Sequence, residues 1–165
     1  MIDRPAGRDR GAGVAIVGVI SDTHGLLRRS AAEALAGSDS IVHAGDIGRP
    51  EVLEGLRAIA PLVAVRGNVD LDWAHALPDT VQLTVAGRRL LVLHDLKEID
   101  LDPKRAGFDV VVSGHSHVPK VEWRDGVLYV NPGSAGQRRF RLPVAVARIE
   151  FASQSIEARI VELEA

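Results

Sequence analysis

Two carboxylates, one amide and four imidazoles occur in short polar clusters along this 165-residue chain, and each cluster follows an apolar run. The clusters read Asp22-Thr23-His24, Gly45-Asp46, Gly67-Asn68, His94 and Gly114-His115-Ser116-His117. Oxygen and imidazole donors without thiolate favour Mn²⁺, Fe, Zn²⁺, Ni²⁺ or Co²⁺ held for chemistry over a structural zinc ion. The set therefore predicts a site for two divalent metal ions, and with it the hydrolysis of a phosphoester.

The amino-acid composition limits the kinds of chemistry and the kinds of binding partner expected of this chain. The chain has no cysteine, which excludes disulfides, thiolate metal sites and a cysteine nucleophile, and which fits a reducing, cytoplasmic location. Its formal net charge of −2 provides no overall field that would attract nucleic acid or an acidic membrane. The apolar run at 14–20 is far shorter than the ~20 residues of a membrane span. We expect a small phosphoester as substrate and no membrane partner. The sequence has no strong signal for nucleic-acid binding, and its strand edges would allow a homo-oligomer.

Strands and helices alternate in the first half of the chain, and they must position the first clusters. Apolar runs at 14–20, 40–43 and 62–65 predict buried strands, while 25–36 and 50–59 predict helices. This β-α-β-α-β order predicts parallel strands joined by right-handed crossovers. The carboxyl ends of such strands lie at one edge of the sheet, where loops aim their side chains into a shared crevice.

The second half is richer in strands and hairpins. Turn signals at 86–88 and 124–126 each separate two strand patterns. Strands are predicted over 80–85, 89–93, 110–112, 120–123, 127–130, 144–151 and 155–162, and a short helix over 101–106. Two stacked sheets with helices on their outer faces would bury both halves, which predicts an α/β fold. Residues 1–13 predict a flexible tail, followed by a single domain over 14–165.

The spacing of the clusters suits a pair of metal ions. In Asp22-x-His24 and His115-x-His117, a turning loop can place both side chains around one ion or around two neighbouring ions. Asp46, beside flexible Gly45, suits the role of a carboxylate that bridges the ions. Two dications, two carboxylates and one hydroxide leave a net charge of about +1, which favours an anionic phosphoester. Metals about 3.5–4 Å apart also lower the pKa of a bound water toward ~7, so no protein nucleophile is needed.

The ordered clusters resemble the calcineurin-like metallophosphoesterase superfamily. Together with Asn131-Pro132-Gly133-Ser134, they are similar to its small YfcE-like bacterial and archaeal phosphodiesterase branch, and the resemblance covers residues 14–134. It implies a four-layer αββα sandwich and a dinuclear centre of the Mn²⁺ type, whose bridging hydroxide attacks phosphorus. It also implies a division of the ligands, with one metal on Asp22, His24 and His117, the other on Asn68, His94 and His115, and Asp46 between them.

Two positions depart from the pattern of that family. Many members carry a His after Gly-Asn as proton donor to the leaving group, whereas Val69 stands there and cannot donate. Protonation would then come from water or Asp70, or be unnecessary for a leaving group of low pKa such as a phenolate. Asp95 stands where the branch often has Gly, so its carboxylate either narrows the pocket or touches the second metal.

Some of these residues have simpler interpretations. Asp22 could cap a helix, Asn68 could serve a turn, and His94 could be a buried, hydrogen-bonded histidine. His43 and Asn131 are expected to support the ligands or to contact the substrate, while the arginines at 138, 139 and 141 are expected to form a solvated face. Two further functions stay open: a phosphomonoesterase or nucleotidase with the same centre, and a non-catalytic scaffold that binds proteins, as the similar retromer subunit does.

Overall fold

The computed structural model describes residues 2–5, for which only the backbone is considered, together with 14–70 and 72–164. Within these ranges, the chain forms eleven strands, two α-helices and one 3₁₀ helix. The strands are β1 (Ile2–Pro5), β2 (Ala15–Ile20), β3 (Ser40–His43), β4 (Leu62–Ala64), β5 (Thr80–Val85), β6 (Arg88–Leu93), β7 (Val110–Val112), β8 (Lys120–Arg124), β9 (Val127–Asn131), β10 (Ala145–Phe151) and β11 (Ile156–Glu162). The helices are α1 (Arg29–Leu35), α2 (Pro50–Arg57) and the 3₁₀ helix Leu96–Glu98.

The strands form two mixed sheets, one of five strands in the order β11-β10-β2-β3-β4 and one of six in the order β1-β5-β6-β7-β9-β8. In the five-stranded sheet, β2, β3 and β4 are parallel, which confirms the predicted β-α-β-α-β unit. In the six-stranded sheet, β6, β7 and β9 are parallel. Each sheet therefore places the carboxyl ends of three parallel strands at one edge.

Both predicted hairpins form. Ala86 and Gly87 join β5 to β6, and Asp125 and Gly126 join β8 to β9. All four turn residues have left-handed φ angles, of 48°, 78°, 50° and 80° in that order. Two central residues with positive φ match the twist of antiparallel strands, so these turns fix the register of both hairpins.

The main core lies between the two sheets. Val19, Val42, Leu90 and Val112 are among its fully buried side chains. The three valines of β7 are all buried because Val111 packs on the outer face of its sheet. A strand covered on both faces has no polar side, which explains the continuous apolar runs of the sequence.

The two α-helices cover the outer face of the five-stranded sheet. α1 begins at Arg29, later than predicted, because the preceding residues form a loop in which Gly25 donates its N–H to Ile47 O. α2 begins at Pro50, where the missing N–H costs little. Of the helices in the described part of the chain, none has the length and apolarity needed to cross a bilayer.

The outer face of the six-stranded sheet has a different cover. The predicted helix over 101–106 is wrong, since the 3₁₀ helix and a series of turns pack there against Leu91 and Phe108. The Asp102 carboxylate accepts the N–H groups of Lys104 and Arg105, which favours a turn over helix propagation. The αββα order thus holds for the two stacked sheets and one helical layer, while turns replace α-helix in the other outer layer.

Part of the predicted tail is ordered into a sheet. Ile2–Pro5 form β1, which pairs in parallel with β5. The rest of that segment, residues 1 and 6–13, lies outside the described residues.

Candidate metal centre

The loops that follow the parallel strands of both sheets meet in one place. Asp22 N donates to Gly45 O and His115 N donates to Asp22 Oδ2, so loops of the five-stranded and six-stranded sheets are joined directly. Each predicted ligand lies in a loop directly after one of these strands, in the order Asp22, His24, Asp46, Asn68, His94, His115 and His117. The fold therefore brings together clusters that are up to 95 positions apart in the chain.

One group of ligand atoms consists of Asp22, His24 and His117, whose candidate ligand atoms lie within 4.8 Å of one another. His117 Nε2 is 3.3 Å from Asp22 Oδ1, and His24 Nε2 is 3.9 Å from the same oxygen. These are the three residues that the family resemblance assigns to one metal. Their spacing is that of donors around a common ion.

A second group consists of Asp22, Asp46 and His94, within the same 4.8 Å limit. His94 Nε2 is 3.3 Å from Asp46 Oδ2, and His24 Nε2 is 3.7 Å from that oxygen. Asp46 Oδ2 therefore lies between a histidine of the first group and a histidine of the second. This is the position that a bridging carboxylate requires.

Three buried polar atoms of the centre have no hydrogen-bond partner. They are Asp22 Oδ1, His24 Nε2 and His117 Nδ1, half of the six such side-chain atoms in the described part of the chain. An unpaired buried donor or acceptor costs about 1–3 kcal/mol, so the two of these atoms that face the centre, Asp22 Oδ1 and His24 Nε2, require an explanation. Cations coordinated by these atoms would satisfy them, and the residues present therefore fit divalent metal ions.

The backbone is strained at five of the seven candidate ligands. Asp22, His24, Asp46, His115 and His117 have φ angles of 55°, 46°, 55°, 70° and 63°. Such left-handed conformations are uncommon for residues with a Cβ and persist only where the surroundings enforce them. Here, His24 N donates to Asp46 O, which ties two of the strained residues to each other. The strain is concentrated at the candidate ligands, as is typical of functional sites.

Each carboxylate has one oxygen held by the protein and the other directed into the centre. Asp22 Oδ2 accepts Ser21 Oγ–H at 2.6 Å and His115 N–H at 3.1 Å. Asp46 Oδ1 accepts the Val69 N–H at 3.0 Å. These bonds fix the orientation of both carboxylates and leave Oδ1 of Asp22 and Oδ2 of Asp46 for the ions.

The hydrogen bonds of His94 determine which of its ring nitrogens faces the centre. His94 Nδ1 donates to Ala44 O at 2.7 Å, so Nε2 points toward Asp46. Burial opposes a charge on this ring, but the hydrogen bonds to Asp46 and Ala44 and the charge of Asp22 outweigh it and raise the pKa of His94 to about 9. In the same way, burial is outweighed by the bonds from His94 and Val69, and the pKa of Asp46 falls to about 2. The centre is thus a place that attracts positive charge.

His43 supports the loops without entering the centre. Its Nδ1 accepts the Gly45 N–H at 3.1 Å and its Nε2 donates to Thr23 Oγ1 at 3.0 Å, so both nitrogens are used inside the protein. Thr23 in turn donates to Ile47 O. Burial lowers the pKa of His43 to about 4, and the neutral ring is the form that both bonds need.

Asp70 anchors two of the loops that carry candidate ligands. It is fully buried, and its carboxylate accepts three backbone N–H groups, those of Ile47 at 3.0 Å, Gly48 at 2.9 Å and Gly67 at 3.0 Å. Both carboxylate oxygens are thus engaged in holding the backbone at 47, 48 and 67, and neither is exposed toward the substrate. Asp70 therefore supports the loops that carry Asp46 and Asn68, and its burial favours water over Asp70 as the source of a proton for the leaving group.

Residues at the end of β9 and just beyond it hold two loops of the centre. Asn131 Nδ2 donates to Gly114 O at 2.9 Å and to Ser116 Oγ at 3.1 Å. Ser134 Oγ donates to Asp22 O at 3.0 Å. Asn131 thus supports the loop that carries His115 and His117, one of the two roles expected for it.

Asn68 and His115 are the most exposed of the predicted ligands. Asn68 lies in a turn closed by Asp70 N–H and Gly67 O, beside His94 at the wall of a cavity. His115 Nδ1 is 3.3 Å from His94 Nε2, and its Nε2 is 3.6 Å from Asp95 Oδ2. Asp95 therefore contacts a candidate ligand, while its other oxygen accepts the Lys97 N–H.

The simpler structural roles considered for Asp22, Asn68 and the arginines at 138, 139 and 141 differ in outcome. Asp22 is not a helix cap, because α1 begins at Arg29 with Arg28 as its cap residue. Asn68 does serve a turn, which is compatible with ligation. The arginines at 138, 139 and 141 are exposed, although the positive charge of Arg139 contributes to lowering the pKa of His24, after burial of the ring itself.

Sequence reasoning missed Ser21, which orients Asp22 from the adjacent position. A serine before an aspartate is a common dipeptide with no distinctive signal. Its role is visible only in the structure, where Ser21 Oγ lies near Gly45 O and the side chains of Ser21 and Asp22 are both buried.

Comparisons with known proteins agree with this geometry. The family description "Calcineurin-like phosphoesterase superfamily domain" matches residues 16–154. A probable metallophosphoesterase of Methanocaldococcus jannaschii is 30% identical over 165 residues, covering 92% of this chain and 83% of that protein. The phosphoesterase YfcE of E. coli has a structure that superposes with a TM-score of 0.65 and 25% identity, covering 90% of this chain and all of that one (100%). The vacuolar protein sorting 29 structure from Cryptosporidium parvum, with a TM-score of 0.78, 19% identity and 92% coverage of each chain, shares the fold.

Proposed function

The chain belongs to the calcineurin-like phosphoesterase superfamily, and from this premise we propose that it is a metal-dependent phosphodiesterase. The observation that carries the proposal is the pair of buried, unpaired atoms that face the centre, Asp22 Oδ1 and His24 Nε2, with His117 Nε2 3.3 Å from the same oxygen of Asp22. A protein that used this fold only as a scaffold would gain nothing from keeping such atoms unsatisfied.

The donors divide into two sets. Asp22, His24 and His117 would hold one ion. His94, His115 and Asn68 would hold the other, with Asp46 shared between them. Oxygen and imidazole donors of this kind suit Mn²⁺, and they also accept Fe, Zn²⁺, Ni²⁺ or Co²⁺.

The ions, when bound, supply a nucleophile derived from water at neutral pH and offset the charge of the phosphoryl group. Hydroxyl groups near the centre are already engaged, since Ser21 Oγ donates to Asp22 and Thr23 Oγ1 donates to Ile47 O. Their engagement supports a nucleophile that comes from solvent. The protein's own contribution is to hold the carboxylates in fixed orientations and to keep Nε2 of His94 directed inward.

Space on both sides of the centre favours a diester over a monoester. One cavity of about 570 Å³ borders His115, and another of about 660 Å³ borders Asn68 and His94. Each has the volume of a site for an organic group. A phosphate that lay between them could therefore carry an ester group on each side, whereas a monoester would fill only one cavity.

The departure at Val69 limits the leaving groups. The Val69 side chain is 48% exposed beside the centre and has no proton to give, and Asp70 is closed off by its three backbone partners. The leaving group must then depart unprotonated or take a proton from water. We expect rates that rise steeply as the pKa of the leaving group falls, whereas a flat dependence would contradict this point.

The direct test compares a bis-aryl phosphate with the matched aryl phosphate monoester, using protein with and without Mn²⁺. We expect hydrolysis that needs Mn²⁺ and is faster for the diester. Faster hydrolysis of the monoester would favour the phosphomonoesterase alternative. Absence of hydrolysis for both, in protein shown by elemental analysis to have taken up metal, would favour a scaffold.

The matched variant for this test is Asp22→Asn. It preserves the shape of the side chain and an acceptor for Ser21 Oγ–H, but it removes the charge from the centre. Because the position of Oδ1 is then taken by an amide NH2 group, which is neutral and a poor ligand, we expect lower metal content together with lower activity. Full activity in this variant would contradict the assigned site.

A further inference from the structure

The two cavities beside the centre differ in charge. We call the one that borders His115 the basic cavity, because it carries three cationic side chains, Lys97, Lys120 and Arg124, against the carboxylates of Asp95 and Glu122. We call the one that borders His94 the acidic cavity. Apart from the candidate ligand His94, its charged side chains are Arg66 against Asp79, Glu98 and Asp100.

Ion pairs inside the basic cavity leave one cation free. Glu122 pairs with Lys120 at 3.1 Å and with Arg124 at 2.8 Å, so its carboxylate is shared by two cations. Arg124 also lies over the Tyr129 ring, 4.7 Å from its centroid. The Lys97 ammonium makes no ion pair or hydrogen bond within the described ranges, and it is exposed at the cavity wall. The basic cavity therefore offers an unpaired positive charge close to the candidate centre.

The acidic cavity has the opposite character. Arg66, the arginine of its lining, is bound by the Asp79 carboxylate at 2.9 Å. Glu98 and Asp100 make no ion pair within the described residues and remain as uncompensated negative charges on its wall. An anionic group would be repelled there and attracted to the basic cavity.

We propose that the basic cavity binds one ester group of the phosphodiester, and that this group carries a second negative charge, a carboxylate or a phosphate. The inference rests on the proposed phosphodiesterase function and deepens it by naming a class of substrate. Apolar side chains of Leu96, Val118 and Val130 form much of the remaining wall, so the body of the group is organic and its anionic end meets Lys97.

The experiment uses three diesters that share a p-nitrophenyl leaving group. The other ring is unsubstituted, or carries a carboxylate, or carries a phosphate. For Mn²⁺-loaded wild-type protein, we expect kcat/KM for the carboxylate diester to exceed that of the neutral diester about five-fold, the effect of one partly solvated charge pair. A larger gain with the phosphate diester would identify phosphate as the preferred group, and a larger gain with the carboxylate diester would identify carboxylate.

Two lysine variants give the control. Lys97→Gln removes the free charge and should bring the charged-to-neutral ratio of kcat/KM close to 1. Lys104→Gln makes the same charge change at an exposed turn outside the cavity and should leave the ratio intact. A wild-type ratio of 1 or less, or a ratio that Lys97→Gln does not lower, would overturn the inference.

Failure of the phosphodiesterase proposal can be distinguished from failure of the cavity assignment. If no diester is hydrolysed, the phosphodiesterase proposal fails, and calorimetric titration of the same three compounds into the metal-loaded protein still measures the ratio of dissociation constants. Tighter binding of the charged diesters that disappears in Lys97→Gln supports the cavity assignment. Equal binding of all three compounds refutes it.

Discussion

Removal of the Asp70 carboxylate should destabilise the whole centre from a position that touches no metal. In Asp70→Ala, the backbone N–H groups of Ile47, Gly48 and Gly67 lose their common acceptor in a fully buried site. Hydrogen bonds to a charged group contribute about 1.5–3 kcal/mol each, and removal of the buried charge returns part of the total. We expect the free energy of unfolding to fall by about 3 kcal/mol or more.

The same substitution should lower metal uptake. Ile47 and Gly48 directly follow Asp46, and Gly67 directly precedes Asn68, so Asp70 holds together two loops that carry candidate ligands. Once these loops separate, the donors no longer share one position. Urea denaturation of the metal-free protein measures the first effect, and elemental analysis after dialysis against Mn²⁺ measures the second.

Two further variants sharpen the test. Asp72→Ala removes an exposed carboxylate from the same loop and should change the free energy of unfolding by no more than about 0.5 kcal/mol. Asp70→Asn retains one acceptor oxygen but turns an amide toward backbone donors, so it should also be destabilising. If Asp70→Ala loses less than about 1 kcal/mol, or if it matches Asp72→Ala, the role assigned to this anchor is refuted.

Three more outcomes follow from the contacts of the centre. Burial holds the pKa of His43 down to about 4, against 6.5 for the ordinary side chain, so its contribution to stability is complete above pH 6.5 and is lost as the pH falls toward 4. This amounts to about 3 kcal/mol, and the unfolding free energy of metal-free His43→Gln should therefore depend less on pH in that interval than that of the wild type. Gly67→Ala would place a Cβ against the backbone and carboxylate of Asp46, so it should reduce metal content, whereas an unchanged content would show that the two loops can separate without loss of the site. Asp95→Ala should weaken Mn²⁺ binding severalfold by freeing the His115 ring, and Asp95→Asn, which keeps an acceptor, should restore most of it; equal affinities in calorimetry would exclude an orienting role.

Local patterns in the chain were sufficient for much of the architecture. Continuous apolar runs marked the buried parallel strands, and paired turn residues such as Asp125-Gly126 marked the hairpins. These signals are local because strand alternation and turn conformation depend on a few adjacent residues. The helix predicted over 101–106 does not form, and the cause is again a local interaction. Its apolar spacing was compatible with a helix, but the Asp102 side chain stabilises a turn instead.

The candidate metal centre was likewise predictable from the sequence only in part. The types of the candidate ligands and their places after strands are properties of the sequence, and so is the departure at Val69. Only the tertiary structure revealed that Asp70 is an anchor, that Ser21 orients Asp22, and that cavities of opposite charge flank the centre. These features join residues far apart in the chain. Burial, hydrogen-bond partners and the sign of a cavity's charge arise from which loops meet, and no local pattern contains that information.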